Sequence, residues 1–321
     1  MWSGFPLLPD QSSTIAAGVD SLFTFLVAVS GFFSALIFIL IFYFAVRYRK
    51  RAGRQTAVQI PGNLPLEVFW TAVPLGITIV MYAWGASLFM RNHEPPANAL
   101  NIYVVGKQWM WKIQHPEGRR EIDELHVPVA RPVRLIMASQ DVIHDFFIPA
   151  FRVKQDVVPG RYTTMWFQAT KTGEYHLFCG QYCGTQHSGM IGKVVVMEPK
   201  DFEDWLAGGP EEPPAQEGEK LFTEYNCANC HQAGARQRCP HLEGQYGKSV
   251  RLQGGGTAIF DDAYIRESII SPMAKIVEGY SPIMPTFRGQ LTEEQIIDLI
   301  AYIKSLTAQN ETAREEVHER K

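Results

Sequence analysis

The sequence predicts a multidomain chain: a two-helix hairpin able to cross a membrane, then an antiparallel β-barrel or sandwich, then a small all-α unit. Three observations carry this reading: two long apolar runs in the first 90 residues, a set of short β-rich pieces split by turn signals, and a Cys-x-x-Cys-His motif followed by a capped amphipathic helix. At 321 residues the chain exceeds one typical domain. A formal net charge of -3 gives no nucleic-acid signal. Hydrophobic residues make up 46%, and much of that excess sits in the hairpin.

The first run, Ser21 to Val46, carries no charge. It is long enough for a bilayer core of ~30 Å at ~1.5 Å per residue. A signal peptide has a shorter apolar core and a basic start. Here Asp10 and Asp20 precede the run, and Arg47, Arg49, Lys50, Arg51 and Arg54 follow it, so the segment is expected to stay in the membrane. The second run, Leu66 to Met90, has one acid, Glu67, near its start and Pro74 shortly after. The connection from Arg47 to Pro65 holds five basic residues and no acid, which places it in the cytoplasm and everything after Met90 on the outer face. Core helices of a soluble protein rarely need uncharged runs of this length.

From Asn98 to about residue 199 the texture is β-rich: Asn101 to Val105, Pro132 to Met137, Tyr162 to Phe167, Tyr175 to Phe178 and Lys193 to Met197. Pro159-Gly160 and Thr172-Gly173 mark turns between them. Between the last two pieces lies Cys179-Gly180-Gln181-Tyr182-Cys183-Gly184-Thr185-Gln186-His187-Ser188-Gly189-Met190. Two thiols, an imidazole and a thioether within twelve residues are soft ligands of the kind that hold copper. A mononuclear blue-copper site needs one thiolate, so the second Cys points to two copper ions. The missing imidazole must come from upstream, and His144 is the best-placed candidate. A disulfide would leave His187 and Met190 unexplained, and Met is a poor zinc ligand.

Asp201 to Leu206 is expected to be a short amphipathic helix, and Gly208 to Pro214 a proline-stiffened linker. The last unit reaches Cys227-Ala228-Asn229-Cys230-His231, a c-type haem attachment signal in which the thiols take the vinyl groups and His231 the iron. Met273 and Met284 compete for the second axial position. Met284 is favoured because Pro285 fixes the loop beside it. Thr292 and Gln295 form a capping box, and Ile296, Leu299, Ile300 and Ile303 one apolar stripe. The residues after Ala308 are highly charged and expected to be solvated. Cys239 is left over from both motifs. The expected organisation is therefore 1–97 for the N-terminal segment and hairpin (helices about 21–46 and 66–90), 98–199 for the β unit, 200–216 for the linker, 217–308 for the haem unit and 309–321 for the charged tail.

With its hairpin, its Cys-x3-Cys-x3-His-x2-Met loop and an upstream His, the chain resembles subunit II of haem-copper cytochrome c oxidases. The appended Cys-x-x-Cys-His unit narrows the resemblance to the cytochrome-c-fused, caa-type oxidases of bacteria. The resemblance implies a cupredoxin-like Greek-key β-barrel and an all-α c-type cytochrome domain. It implies a binuclear CuA centre at His144, Cys179, Cys183, His187 and Met190, with the backbone carbonyl of Gln181 as a further ligand. In this reading the cysteines bridge the coppers, one His binds each, and Met190 and the carbonyl are weak axial ligands. Many relatives have Glu where this chain has Gln181, and that carboxylate reaches a magnesium ion; a neutral amide is a weaker ligand for a hard cation. Trp109, in Gln108-Trp109-Met110-Trp111, matches the residue where electrons enter, although Trp in a β unit is more often packing. Glu67 matches an acid at the mouth of a proton path, although an acid at a helix start is also a favourable dipole partner.

The expected function is electron input to a respiratory terminal oxidase of the bacterial inner membrane. Electrons would enter at haem c, pass to CuA and leave to subunit I, where oxygen is reduced with coupled proton pumping. The expected partners are subunit I, subunit III, the lipid bilayer and a donor that is a cytochrome c, a high-potential iron-sulfur protein or a cytochrome bc-type complex. A quinol oxidase subunit would lack the copper ligands. A copper-delivery protein would have little use for a covalent haem.

Overall fold

A computed structural model describes residues 8–49, 61–208, 213–231 and 239–319, with side chains to residue 307. Most of the basic connection after Lys50, most of the Gly208 to Pro214 linker and the side chains of the charged tail therefore lie outside the described residues.

Helix α1 spans Ala16–Arg47 and α2 spans Leu64–His93. α1 starts earlier than the uncharged run because the Ser13 hydroxyl accepts from the Ala16 N–H at 3.2 Å. α2 is started by Asn63, whose side chain accepts from Leu66 N–H at 3.2 Å, with Pro65 in the first turn. The start of α1 meets the end of α2: Phe25 and Trp84 have ring centroids 5.6 Å apart, and Leu88 lies over Gly18. The pair is thus an antiparallel hairpin. Its apolar residues face outward, Phe38 at 71% and Tyr82 at 77% exposure, as a membrane span requires.

The β unit contains β1 (Leu100–Lys107), β2 (Met110–Gln114), β3 (Arg120–Ile122), β4 (Glu124–Pro128), β5 (Pro132–Ser139), β6 (His144–Ile148), β7 (Val153–Val157), β8 (Thr163–Gln168), β9 (Gly173–Cys179) and β10 (Ile191–Met197). They form two five-stranded sheets, ordered β3-β2-β1-β5-β8 and β4-β10-β9-β6-β7. Most pairings are antiparallel, but β1 with β5 and β4 with β10 are parallel. The reason is a change of sheet at Asp123, whose φ of 57° turns the chain from β3 into β4, and the return to the first sheet at β5. The core between the sheets holds Trp111, Phe146, Phe151 and Phe167, all fully buried. Ile15, just before α1, joins that core, so the β unit is seated on the end of the hairpin where α1 begins and α2 finishes.

Helix α3 (Pro199–Ala207) follows. The last unit comprises α4 (Pro214–Glu224), α5 (Ala228–His231), a small hairpin of β11 (Ser249–Arg251) and β12 (Thr257–Ile259), α6 (Asp262–Ile270) and α7 (Glu293–Glu319). The capping box forms: Thr292 N–H donates to Gln295 Oε1 at 2.9 Å and Gln295 N–H to Thr292 Oγ1 at 3.3 Å. The backbone of α7 continues to Glu319, beyond the expected end of the unit, through Glu-, Ala- and Arg-rich sequence that favours helix. Its apolar stripe packs into the unit, with α4 close enough at Gly218 that a Cβ there would strike the Asp298 carbonyl.

The other side of α7 lies on the first sheet of the β unit. Ile297 is buried against Tyr103, Val105 and Ile136. Around it, Gln114 Nε2 and Arg120 each donate to Asp298 at 2.8 Å, and Lys112 Nζ meets Glu294 at 2.6 Å. Tyr103 Oη donates to Asp262 Oδ2 at 2.8 Å, and Lys304 Nζ meets the same carboxylate at 2.8 Å.

Candidate metal centre

The sandwich brings the metal loop and His144 together because β6 and β9 are neighbours, with Phe146 opposite Cys179. His144 opens β6 and Cys179 closes β9 at the same end of the sheet. The loop then turns back, makes a short 3-10 turn over His187–Gly189 and enters β10 after Met190. The two sulfurs lie 3.7 Å apart. A disulfide needs ~2.05 Å, so this is not one. Cys179 Sγ is 3.9 Å from His144 Nδ1 and 3.2 Å from the Gln181 carbonyl oxygen. Cys183 Sγ is 3.5 Å from His187 Nδ1 and 3.9 Å from Met190 Sδ.

All six expected donors thus gather around the sulfur pair. Ligand atoms of His144, Cys179 and Cys183 lie within 4.8 Å of one another, and all three residues are buried. Two thiolates, two imidazoles, a thioether and a carbonyl fit copper, being soft and nitrogenous with no carboxylate.

The sequence reading missed the residues that hold these ligands. Asp141 Oδ1 lies 2.8 Å from His144 Nε2, so that nitrogen carries a proton and Nδ1 is the one turned to Cys179. Asp141 Oδ2 accepts the Gln108 N–H at 2.7 Å, and Gln108 Nε2 donates to the Cys183 carbonyl at 2.8 Å. Trp111 meets the His144 ring edge-on at 5.8 Å. An acid three residues before His144 was the available signal for Asp141; Gln108 had none.

Burial raises the Cys179 thiol, but hydrogen bonds with His144 and the backbone of Asp145 and Gln181 outweigh it and bring the pKa down. Burial and the adjacent Cys179 push Cys183 up. The pair alone therefore favours one thiolate, and a bound cation is what makes two compatible.

The second group of expected residues lines a cavity of about 340 Å³ in the last unit, walled largely by apolar side chains such as Phe222, Ile269 and Leu299. Cys227, His231 and Met284 line it, while Cys230 lies exposed on the same short helix. His231 Nδ1 is 2.9 Å from the Pro240 carbonyl, which can only accept, so Nε2 keeps a free lone pair for a metal. The donor set, the apolar walls and this tautomer fit a c-type haem. Met273 is 57% exposed and does not line this cavity. Cys239 is buried at the cavity wall.

Trp109 packs against the metal loop: a Cβ on Gly184 would lie 3.3 Å from its ring. The Gln181 side chain is exposed. Glu67 stands apart from these groups, in the first turn of α2, roughly 40 Å along the helix from its β-unit end at ~1.5 Å per residue.

Three family models match the chain: cytochrome c oxidase subunit II, transmembrane domain, over residues 1–87; cytochrome c oxidase subunit II, periplasmic domain, over 119–198; and cytochrome c over 215–307. Cytochrome c oxidase subunit 2 of Thermostichus vulcanus is 32% identical, the match covering 62% of this chain and 77% of that protein. Cytochrome c oxidase subunit 2 of Alkalihalophilus pseudofirmus is 27% identical over 87% of this chain and 84% of its own length. Among solved structures, the periplasmic domain of subunit II of cytochrome oxidase of Bradyrhizobium japonicum is 34% identical, covering 36% of this chain and 95% of that one, with a TM-score of 0.34.

Proposed function

The chain belongs to the cytochrome c oxidase subunit II family, and from that premise we propose that it holds a binuclear CuA centre in the β unit and a covalent haem c in the last unit. It is the electron-input subunit of an oxidase whose oxygen chemistry lies in a partner subunit. When bound, copper and haem supply reversible one-electron chemistry.

His144, Cys179, Cys183, His187, Met190 and the Gln181 carbonyl hold the copper. The observation that carries this is the gathering of all six donors around two sulfurs 3.7 Å apart. Cys179 and His144 come from adjacent strands, Asp141 pins His144 and Gln108 pins the loop at Cys183, so the protein can keep one ligand geometry through changes of redox state. Cys227 and Cys230 would attach the haem, and His231 and Met284 would supply the nitrogen and thioether donors for its iron.

The hairpin anchors these units to the membrane, with the connection between α1 and α2 on the cytoplasmic side of a bacterial inner membrane. The outward apolar side chains of α1 and α2 meet lipid and the oxygen-reducing subunit I, with subunit III in the same complex. Trp109 lies against the metal loop, where a donor's electrons could enter, and Glu67 stands at the opposite end of α2, where protons are taken up. The exposed Gln181 amide makes no strong magnesium ligand. The domain divisions at residues 97, 199, 216 and 308 follow the same scheme.

Near-infrared and visible spectroscopy with metal analysis on the purified complex tests this reading. Two coppers and one covalent haem per chain are expected. A complex with no near-infrared copper band, or one losing fewer than two coppers on Cys179→Ser, would refute the CuA assignment.

A further inference from the structure

The first turn of α7 reaches out of the haem unit and grips the β unit beside the copper ligands. Glu294 Oε1 meets Lys112 Nζ at 2.6 Å, and its Oε2 accepts from Gln140 Nε2 at 2.7 Å. These two partners flank the residues that fix the His144 ring. Gln140 precedes Asp141, which holds His144 Nε2, and Lys112 follows Trp111, which packs edge-on against the same ring. Gln140 N–H also donates to the Gly106 carbonyl at 3.0 Å. Gly106 sits directly beneath that imidazole: a Cβ there would lie 3.0 Å from His144 Cδ2 and 3.1 Å from Trp111 Cζ3. There is no slack in which a shift of the Gln140 backbone could be absorbed.

The same helix lines the haem cavity, through Leu299 and Ile303. One rigid element therefore carries both a wall of the haem pocket and a strut to the copper site. We infer that Glu294 is a positioning residue for the copper centre: by holding Gln140, and through it Asp141, it makes the seating of the haem unit and the orientation of His144 a single event. The consequence is that the haem unit acts as a fixed part of the copper site's frame, beyond the linker's role of keeping donor and acceptor close.

The inference rests on the copper assignment above. Its test uses the copper- and haem-loaded complex with Glu294→Ala, Gln140→Ala, the double variant and Glu294→Gln, reading the near-infrared copper band, the copper hyperfine pattern and the visible haem band. Glu294→Ala and Gln140→Ala should each shift the copper band and hyperfine pattern while the haem band stays in place. The double variant should shift them no further than either single variant, since the two residues act through one bond. Glu294→Gln keeps an acceptor for Gln140 and should return the copper signals to those of the wild type. Copper signals in Glu294→Ala identical to wild type, or a double variant equal to the sum of the singles, would overturn the inference. So would a haem band that moves with the copper band, because the effect would then be loss of the haem unit's own packing. A wild-type complex without copper signals would instead refute the proposed function.

Discussion

Asp141 and His144 are joined by a 2.8 Å contact between Oδ1 and Nε2, and the other carboxylate oxygen is tied to the Gln108 backbone at 2.7 Å. The acid thus fixes the imidazole's tautomer and its rotation together, leaving Nδ1 toward Cys179. Removing such an outer partner typically costs about 10–100-fold in metal affinity. Asp141→Ala should lower copper affinity by about that factor, read by competition with a chelator of known affinity. An unchanged affinity would mean that packing against Trp111 alone holds the ring.

Gly180, between the first thiol and the carbonyl donor of Gln181, has its backbone N–H bonded to the Asp145 carbonyl at 2.9 Å. A Cβ at this position would come 2.5 Å from Asp145 Oδ1, on a side chain that is itself buried. Gly180→Ala must push the loop or Asp145 aside, at a cost of about 1–3 kcal/mol as for other overpacked sites. Thermal melts of the copper-loaded complex should show a lower Tm and faster copper loss. A melt that coincides with wild type would show that the loop has room to move.

The loop's candidate donors and the two long apolar helices were legible because each depends on local sequence: soft donors within twelve residues, and unbroken apolar runs. The residues that orient the ligands were not. Gln108 acts on Cys183 across 75 positions, and Tyr103 meets Asp262 across 159, through contacts that no periodicity announces. Ile297 and Asp298 fall off the stripe formed by Ile296, Leu299, Ile300 and Ile303, so a helical period assigns them to solvent. They are instead buried against the β unit, because α7 has a second packed side. Likewise, β1 and β5 are buried on both faces, so no alternation marks which residues face the core, and nothing in their residues distinguishes a parallel partner from an antiparallel one.

Beyond the copper site, Glu121 on β3 bonds His115 Nε2 at 2.7 Å and His126 Nδ1 at 2.5 Å. His126 in turn stacks on Trp205 of α3 at 4.3 Å, so this cluster fastens the helix that leads to the linker. Burial raises the Glu121 carboxyl, but the two histidine bonds outweigh it and hold it below its ordinary 4.5. A carboxylate depressed in the folded state binds fewer protons there than when unfolded. Its stabilisation is therefore complete above pH 4.5 and is lost as pH falls through the lower, folded value. Glu121→Gln should cost about 1.5–3 kcal/mol at neutral pH, the range for hydrogen bonds to a charged group. The gap in Tm between wild type and variant should be constant above pH 4.5 and close below it. A gap that persists unchanged into acid would show that the carboxylate's charge contributes nothing.

The two methionines of the haem unit separate by environment. Met284 lines the cavity that His231 and Cys227 also line, and it packs with the unit's core. Met273 is 57% exposed and lines a second, more open hollow that it shares with Pro272, Met284 and Thr286. A weak thioether ligand needs a position from which water is excluded, because water competes for the iron once the sulfur can swing away. Of the two, Met284 is the one that is partly buried and lines the apolar cavity. Met284→Ala should therefore abolish the low-spin, methionine-ligated haem spectrum and lower the haem reduction potential, since a Met ligand raises it. Met273→Ala, at a surface site, should leave both the spectrum and the potential at wild-type values. If the spectral change instead followed Met273, the loop from Ser271 to Pro285 would have to refold on haem attachment, exchanging its partly buried, cavity-lining thioether for its exposed one.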